Sequence, residues 1–307
     1  DAANAIATVV ATRVLTPLQA VAWAAWWNFA SAFTFGTGVA STVGSGLVDL
    51  NKIDQLTFLA ALFGAIVWDL ITWYYGLPSS SSHALIGGLA GAAIAKAGFA
   101  AIIWGQKWLM TLLFILLAPL LGLGLAWVLM IIIYWLFRKS SPVKMDKYFR
   151  WLQLLSSGIF SYSHGTNDAQ KTMGIITGAM VTAGWLKTFE VPVWVILSAH
   201  AAIALGTMSG GWRIIHTMGG RLTRLKPRSG FCAETAAAIS ILFSTELKMP
   251  VSTTHTVTGA IAGVGSIQRV KAVRWGVATN IIWAWVLTIP AAAFVGWLTM
   301  HLIELFR

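Results

Sequence analysis

The chain alternates long apolar runs with short polar punctuation, on a length scale set by the thickness of a bilayer. A short helical run over residues 1–12 ends at Arg13. Thr16 followed by Pro17 predicts a helix start, because proline at the first helical position lacks only an N–H that would be unpaired anyway. From Pro17 the pattern predicts one long apolar run to about Val43. A polar stretch with Asp49, Lys52 and Asp54 precedes a full span, Leu56 to Tyr75, which stops at Gly76 and Pro78. Four serines, Ser79 to Ser82, and His83 follow. The Gly- and Ala-rich run after them, Ala84 to Ala95, is too short to cross a membrane and predicts a half-helix or re-entrant segment. Residues 108–137 form a long span containing Pro119, and Arg138 to Arg150 a hydrophilic loop.

The second half has a similar rhythm. Trp151 to Ser163 is apolar and is expected to break at His164-Gly165, with a second short helix from Asn167. Val191 to Ile215 is expected to span, and Arg213 to Arg228 to form a basic loop. After Phe231 to Phe243, Pro250 introduces Ser252, Thr253, Thr254 and His255, and another short Gly- and Ala-rich run extends to Ile267. Arg269, Lys271 and Arg274 lead into a last span, Trp275 to about Leu302. The expected fold class is therefore all-α, a polytopic transmembrane helical protein with short half-helices or re-entrant segments.

Composition sharpens this. Of 307 residues, 57% are hydrophobic and 10% charged, with a mean hydropathy of +0.75. Soluble domains run at roughly 25% charged residues, so a cytosolic enzyme, a disordered chain and a fibrous repeat are excluded. The 17 Trp fit membrane–water interfaces. The net charge of +11 reads as the positive bias of cytoplasmic loops rather than as a nucleic-acid surface. A single cysteine, Cys232, excludes a disulfide framework and a cysteine-based metal site.

An internal repeat organises the chain. Asp1-Ala-Ala-Asn4 matches Asp168-Ala-Gln-Lys171, Gly36-Thr37 matches Gly206-Thr207, and the Pro78–His83 segment matches Pro250–His255. Gly87 and Gly91 match Gly259 and Gly263. The offsets are 167, 170 and 172, nearly constant. Residues 1–137 form the first copy and 151–307 the second, joined by a cytoplasmic loop at 138–150. Alternation from that loop collects 14 of the 21 Lys and Arg on one side. The two motif helices then end on opposite sides, so the copies are expected to be inverted, as in many secondary transporters. Because the chain opens inside the repeated motif, at Asp1, the natural protein is expected to begin earlier, with one more membrane segment.

Asp1 and Asn4, and Asp168 and Lys171, are spaced i, i+3 and share a helix face at membrane depth. Ionisable groups there are costly, about 2.5–3.5 kcal/mol on insertion scales, and mark function by default. The hydroxyl clusters open short helices, whose free N–H groups and dipole attract anions. Two such starts facing one site fit a compact tetrahedral oxyanion. Asp1, Asn4 and Asp168, with the Asn167 amide, are oxygen ligands suited to a hard cation such as Na⁺ or Mg²⁺. Protonation of one Asp would serve a proton-coupled carrier equally well. The glycines read as helix-packing positions. His83 and His255 read as packing residues before metal or proton-relay groups. Asp69 and Glu234 are left for cross-helix bonding or coupling, and Asn28 and His200 for structural bonds. An intramembrane hydrolase is disfavoured, because one nucleophile needs no second copy.

These motifs resemble those of the PiT family of inorganic phosphate transporters. S-H-G-T-N-D-A-Q-K-T-M-G over residues 163–174 is similar to the family's duplicated G-A-N-D signature, with Thr166 where Ala is usual. Residues 1–8 are similar to its first copy, and 77–83 and 249–255 to its two hydroxyl segments. The resemblance implies inward symport of inorganic phosphate with Na⁺ or H⁺, or with Mg²⁺ accompanying the phosphate, by a homodimer in the plasma (inner) membrane, without a cofactor. It assigns Asn167, Lys171, Ser81, Ser82, Ser252, Thr253 and Thr254 to the anion, and Asp1, Asn4 and Asp168 to the coupling cation. Sulfate remains an alternative substrate, and an anion channel an alternative class.

Overall fold

The computed structural model describes residues 2–34 and 36–306. It opens with α1 (Ala2–Ala11) and α2 (Pro17–Ala30). Thr16 caps α2 as expected: its hydroxyl accepts from the Gln19 N–H, and Gln19 Oε1 accepts from the Thr16 N–H at 3.0 Å. The apolar run does not continue to Val43. It breaks into a 3₁₀ turn at Ser31–Phe33 and a short α3 (Gly38–Ser45). Ser31 donates its hydroxyl to the Asn28 carbonyl at 2.7 Å, and Gly36 and Gly38 lower the helical preference behind it.

Asp54 caps α4 (Gln55–Tyr75), accepting from the Thr57 N–H at 3.0 Å, and Gly76 ends it at φ +66°. Next come α5 (Ser81–Ala97) and α6 (Gln106–Leu136). Two expectations fail at α7 (Pro142–Thr182). The hydrophilic stretch 138–150 is mostly helix, because Ser141 and Pro142 start α7 inside it. Nor does the chain break at His164-Gly165; α7 runs through both for 41 residues, about 60 Å. Gly165 serves close packing instead, since a Cβ there would lie 2.7 Å from the Asn28 carbonyl oxygen of α2.

The span expected over 191–215 is also interrupted. α8 (Val193–Met208) stops, Gly210 and Gly211 take φ +84° and +151°, and the chain turns by 67° into α9 (Trp212–His216). Helical geometry then persists to Leu222, through much of the expected basic loop. Only glycine enters such backbone regions readily. α10 (Pro227–Glu246), α11 (Thr253–Gln268) and α12 (Trp275–Leu305) complete the chain.

The molecule is apolar outside and carries an unusual number of polar groups among the apolar ones within. α4, α6 and α12 are long and apolar enough to cross a membrane, and bent α8–α9 is a fourth candidate. On α6, Leu109, Leu116, Leu120 and Trp135 are exposed. The buried face of α7 instead carries Gln153, Ser156, Ser161, His164, Asn167, Asp168 and Lys171. In a soluble protein this distribution would be unstable; in lipid it satisfies both surfaces.

One packing contact is made twice. α5 lies against α12, and α11 against α6. A Cβ on Gly91 would lie 1.9 Å from the Ala293 carbonyl oxygen, and one on Gly259 would lie 2.1 Å from that of Pro119. Backbones this close exploit dispersion where lipid offers no hydrophobic drive. Gly91→Ala should therefore destabilise by about 1–3 kcal/mol through overpacking. Gly124→Ala, whose Cβ meets nothing within 4 Å, should leave stability unchanged or slightly raised. Thermal unfolding of the detergent-solubilised protein distinguishes the two.

Candidate functional site

The site is built where the middle of α7 meets the first turns of α5 and α11. Each short helix begins with the same cap. Ser80 Oγ accepts from the His83 N–H, and Ser252 Oγ from the His255 N–H, both at 3.2 Å. The preceding prolines, Pro78 and Pro250, hold the chain extended up to each cap.

Lys171 is 3% exposed and Asp168 9% exposed. The ammonium Nζ donates to Asp168 Oδ1 at 2.5 Å, to the Val251 carbonyl at 2.6 Å and to Ser82 Oγ. An ammonium has three protons and accepts nothing, so its bonding capacity is filled. Asp168 Oδ2 accepts from the Thr253 hydroxyl at 3.1 Å. His164 Nε2 lies 3.1 Å from the same oxygen. Removing one partner of such a buried pair leaves an uncompensated charge.

The hydrogen-bond chain behind His164 sets its orientation. Thr207 spends its only hydroxyl proton on the Ile203 carbonyl at 2.8 Å. It can then only accept from Asn28 Nδ2, at 3.1 Å. Asn28 Oδ1 therefore faces His164 Nδ1, at 3.3 Å, and that nitrogen carries the proton. Nε2 is left facing Asp168, where a proton or cation between them makes the contact attractive.

On the other side of the site, Asn4 Nδ2 donates to Thr254 Oγ1 at 2.6 Å. The structure thus brings Asn4, Asp168, Lys171, Ser82, Thr253 and Thr254 together. Ser81 lines a cavity of about 660 Å³ that also reaches Asn4, Asp69 and Asp168. Ser252 is engaged as a cap. Asn167 is directed away, donating to Thr245 Oγ1 at 2.8 Å and the Met249 carbonyl at 3.3 Å, because adjacent helical residues point about 100° apart. Asp1 lies outside the described residues.

Glu234 of α10 anchors a second buried network. Oε1 accepts from Thr8 at 2.6 Å and Gln153 at 2.9 Å, and Oε2 from Ser156 at 2.5 Å. The histidines pair as well: the His83 and His255 rings meet edge to face at 4.8 Å, and His255 stacks on Trp285 at 3.8 Å. No cluster of three or more His, Cys, Asp or Glu that could hold a metal ion occurs among the described residues. His164, read from sequence only as a point of chain breakage, belongs to the site. Once α7 is continuous, its i, i+4 spacing to Asp168 puts it on the Lys171 face.

Apolar spans around a polar interior, with facing short helices at a buried ion pair, define an integral membrane protein of the transporter class. The chain belongs to the Phosphate transporter family (PHO4), which it matches over residues 1–296. It is therefore related to transporters and not to enzymes. It is 54% identical over 96% of its length to a Rhizobium meliloti (strain 1021) protein named "Probable low-affinity inorganic phosphate transporter", of which 89% is covered. A Bacillus subtilis (strain 168) protein of the same name is 45% identical, over 96% of this chain and 89% of that one. Among solved structures, one titled "The sodium-dependent phosphate transporter" matches all of this chain and 95% of its own, with a TM-score of 0.91 at 26% identity.

Breaking the pair should be costly. Lys171→Met is expected to lower stability by about 3–5 kcal/mol, and Lys171→Met with Asp168→Asn together to recover most of it. Thermal unfolding of the single and double variants in one detergent checks this.

Proposed function

We propose that this protein carries inorganic phosphate inward across the plasma (inner) membrane by cation symport, with Na⁺ or H⁺ as the coupling ion. The observation that carries the reading is the Asp168–Lys171 pair, sealed between the hydroxyl-bearing first turns of α5 and α11. Family membership and the names of the relatives support phosphate as the cargo.

The geometry supports a coupled exchange of partners. Lys171 is held by Asp168, so an arriving oxyanion must compete with a carboxylate for the ammonium. A cation or proton taken by Asp168 removes that competition. Lys171, Ser81, Ser82, Thr253 and Thr254 then offer donors to the anion, aided by the two helix dipoles. Neither ion binds well alone, and that is the physical content of symport. Asn4 and Asp1 complete the cation side, and Ser252 holds its helix start. Asn167 bears on the anion through the chain around Met249 rather than from the Asp168 face.

The doubled contacts support two inverted repeats, 1–137 and 151–307, with 138–150 on the cytoplasmic side. Alternating access then arises from rocking one set of helices around the central site. We further infer a homodimer, with no resident cofactor and with Mg²⁺ at most an accompanying ion.

The test is radiolabelled phosphate uptake into proteoliposomes under separate Na⁺ and pH gradients, with sulfate as competitor. Accumulation under a gradient, outcompeted by unlabelled phosphate but not by sulfate, is expected. Asp168→Asn with Lys171→Met should fold and yet carry no phosphate above the empty-vesicle rate. Uptake of sulfate alone would overturn the substrate, and ohmic current without accumulation would overturn the carrier.

A further inference from the structure

The two copies of the motif differ at one chemically decisive position. Asn4 in the first copy corresponds to Lys171 in the second. Each reaches across to the short helix of the other copy. Asn4 meets Thr254, and Lys171 meets Ser82, two hydroxyls that are themselves equivalent at an offset of 172. The same contact is therefore made once by a neutral amide and once by an ammonium.

The surroundings of that ammonium are a cation cage. Its three ligands are a carboxylate oxygen (Asp168 Oδ1), a backbone carbonyl (Val251) and a hydroxyl (Ser82). Val251 lies in the non-helical segment just before α11. Unwound backbone carbonyls hold Na⁺ near the midplane of many transporters, and carboxylate and carbonyl oxygens suit a hard cation in general. A side chain that places its own positive charge at the centre of that set leaves no charge for a free ion to neutralise. It also occupies the position among these oxygens that a free ion would need.

We propose that Lys171 is a tethered cation standing in a sodium position, so that this chain moves phosphate without requiring Na⁺. The inference rests on the phosphate-carrier reading and deepens it by naming what decides the coupling ion. Asp168 remains the coupling carboxylate, with its Oδ2 toward His164 and Thr253, and a proton is the ion small enough to load there beside the ammonium. A neutral residue at position 171 would reopen the cage to Na⁺.

The experiment compares wild type, Lys171→Asn and Lys171→Gln by two independent readouts. The first is thermal unfolding in detergent with NaCl against choline chloride at equal ionic strength. Wild type should show no Na⁺-specific shift, and the variants should gain one on the order of 3 °C at saturating Na⁺. The second is wild-type phosphate uptake with Na⁺ replaced by choline at constant pH gradient, expected to change less than twofold. A tenfold loss of wild-type uptake in choline overturns the proposal. So does a Na⁺ shift in wild type as large as in the variants, or its absence from both variants. No phosphate uptake under any gradient would instead defeat the carrier reading, and the unfolding measurement would still decide the role of Lys171.

Discussion

An ion pair in a low-dielectric interior must be satisfied almost completely, and that requirement at Asp168 and Lys171 shapes everything packed around it. The ammonium has three protons, and three oxygens from three different parts of the chain accept them. One is a side-chain hydroxyl in the first turn of α5, another a backbone carbonyl free only because the chain ahead of α11 is not helical. Short helices that begin inside the protein, which would be a defect elsewhere, are here the source of the ligands. α7 must remain unbroken through Gly165 so that His164, Asp168 and Lys171 stay on one face.

Close helix packing makes this possible. Lipid supplies no hydrophobic drive between helices, so the bundle depends on backbone approach and on internal hydrogen bonds. The α5–α12 and α11–α6 contacts use small residues at matching positions, and they fix the two hydroxyl-bearing ends against α7. The buried Glu234 network ties α1, α7 and α10 together in the same way. Function and stability share residues here, because the polar groups that a carrier needs are also the internal glue of the bundle.

Membership of the Phosphate transporter family and a fold shared with a solved relative place this arrangement in context. The two copies of the motif carry Asn4 in one and Lys171 in the other. If the copies are related as proposed, one fixed positive charge in the scaffold would give an anion a preferred side to bind. It gives a mobile cation a carboxylate that is already engaged.

The residues by themselves determined the class, the duplicated motifs, most helix starts and the six side chains now gathered at the site. These are legible because a bilayer imposes a strict length on apolar runs and because caps, prolines and repeats are local signals. What the sequence left undecided were continuity and direction. Glycine at 165 read as a break but serves close approach, whereas glycines 210 and 211 bend a span that hydropathy carries straight through. The polarity of 138–150 suggests a loop, although Ser141-Pro142 within it is a good helix cap. Asn167 sits beside Asp168 in the chain and points elsewhere, a fact of helical geometry once α7 is continuous. Two of the three partners of Lys171 lie 89 and 80 residues away. No local pattern encodes such distances, so only tertiary packing decided that the motif's lysine closes on a serine from one short helix and a carbonyl leading into the other.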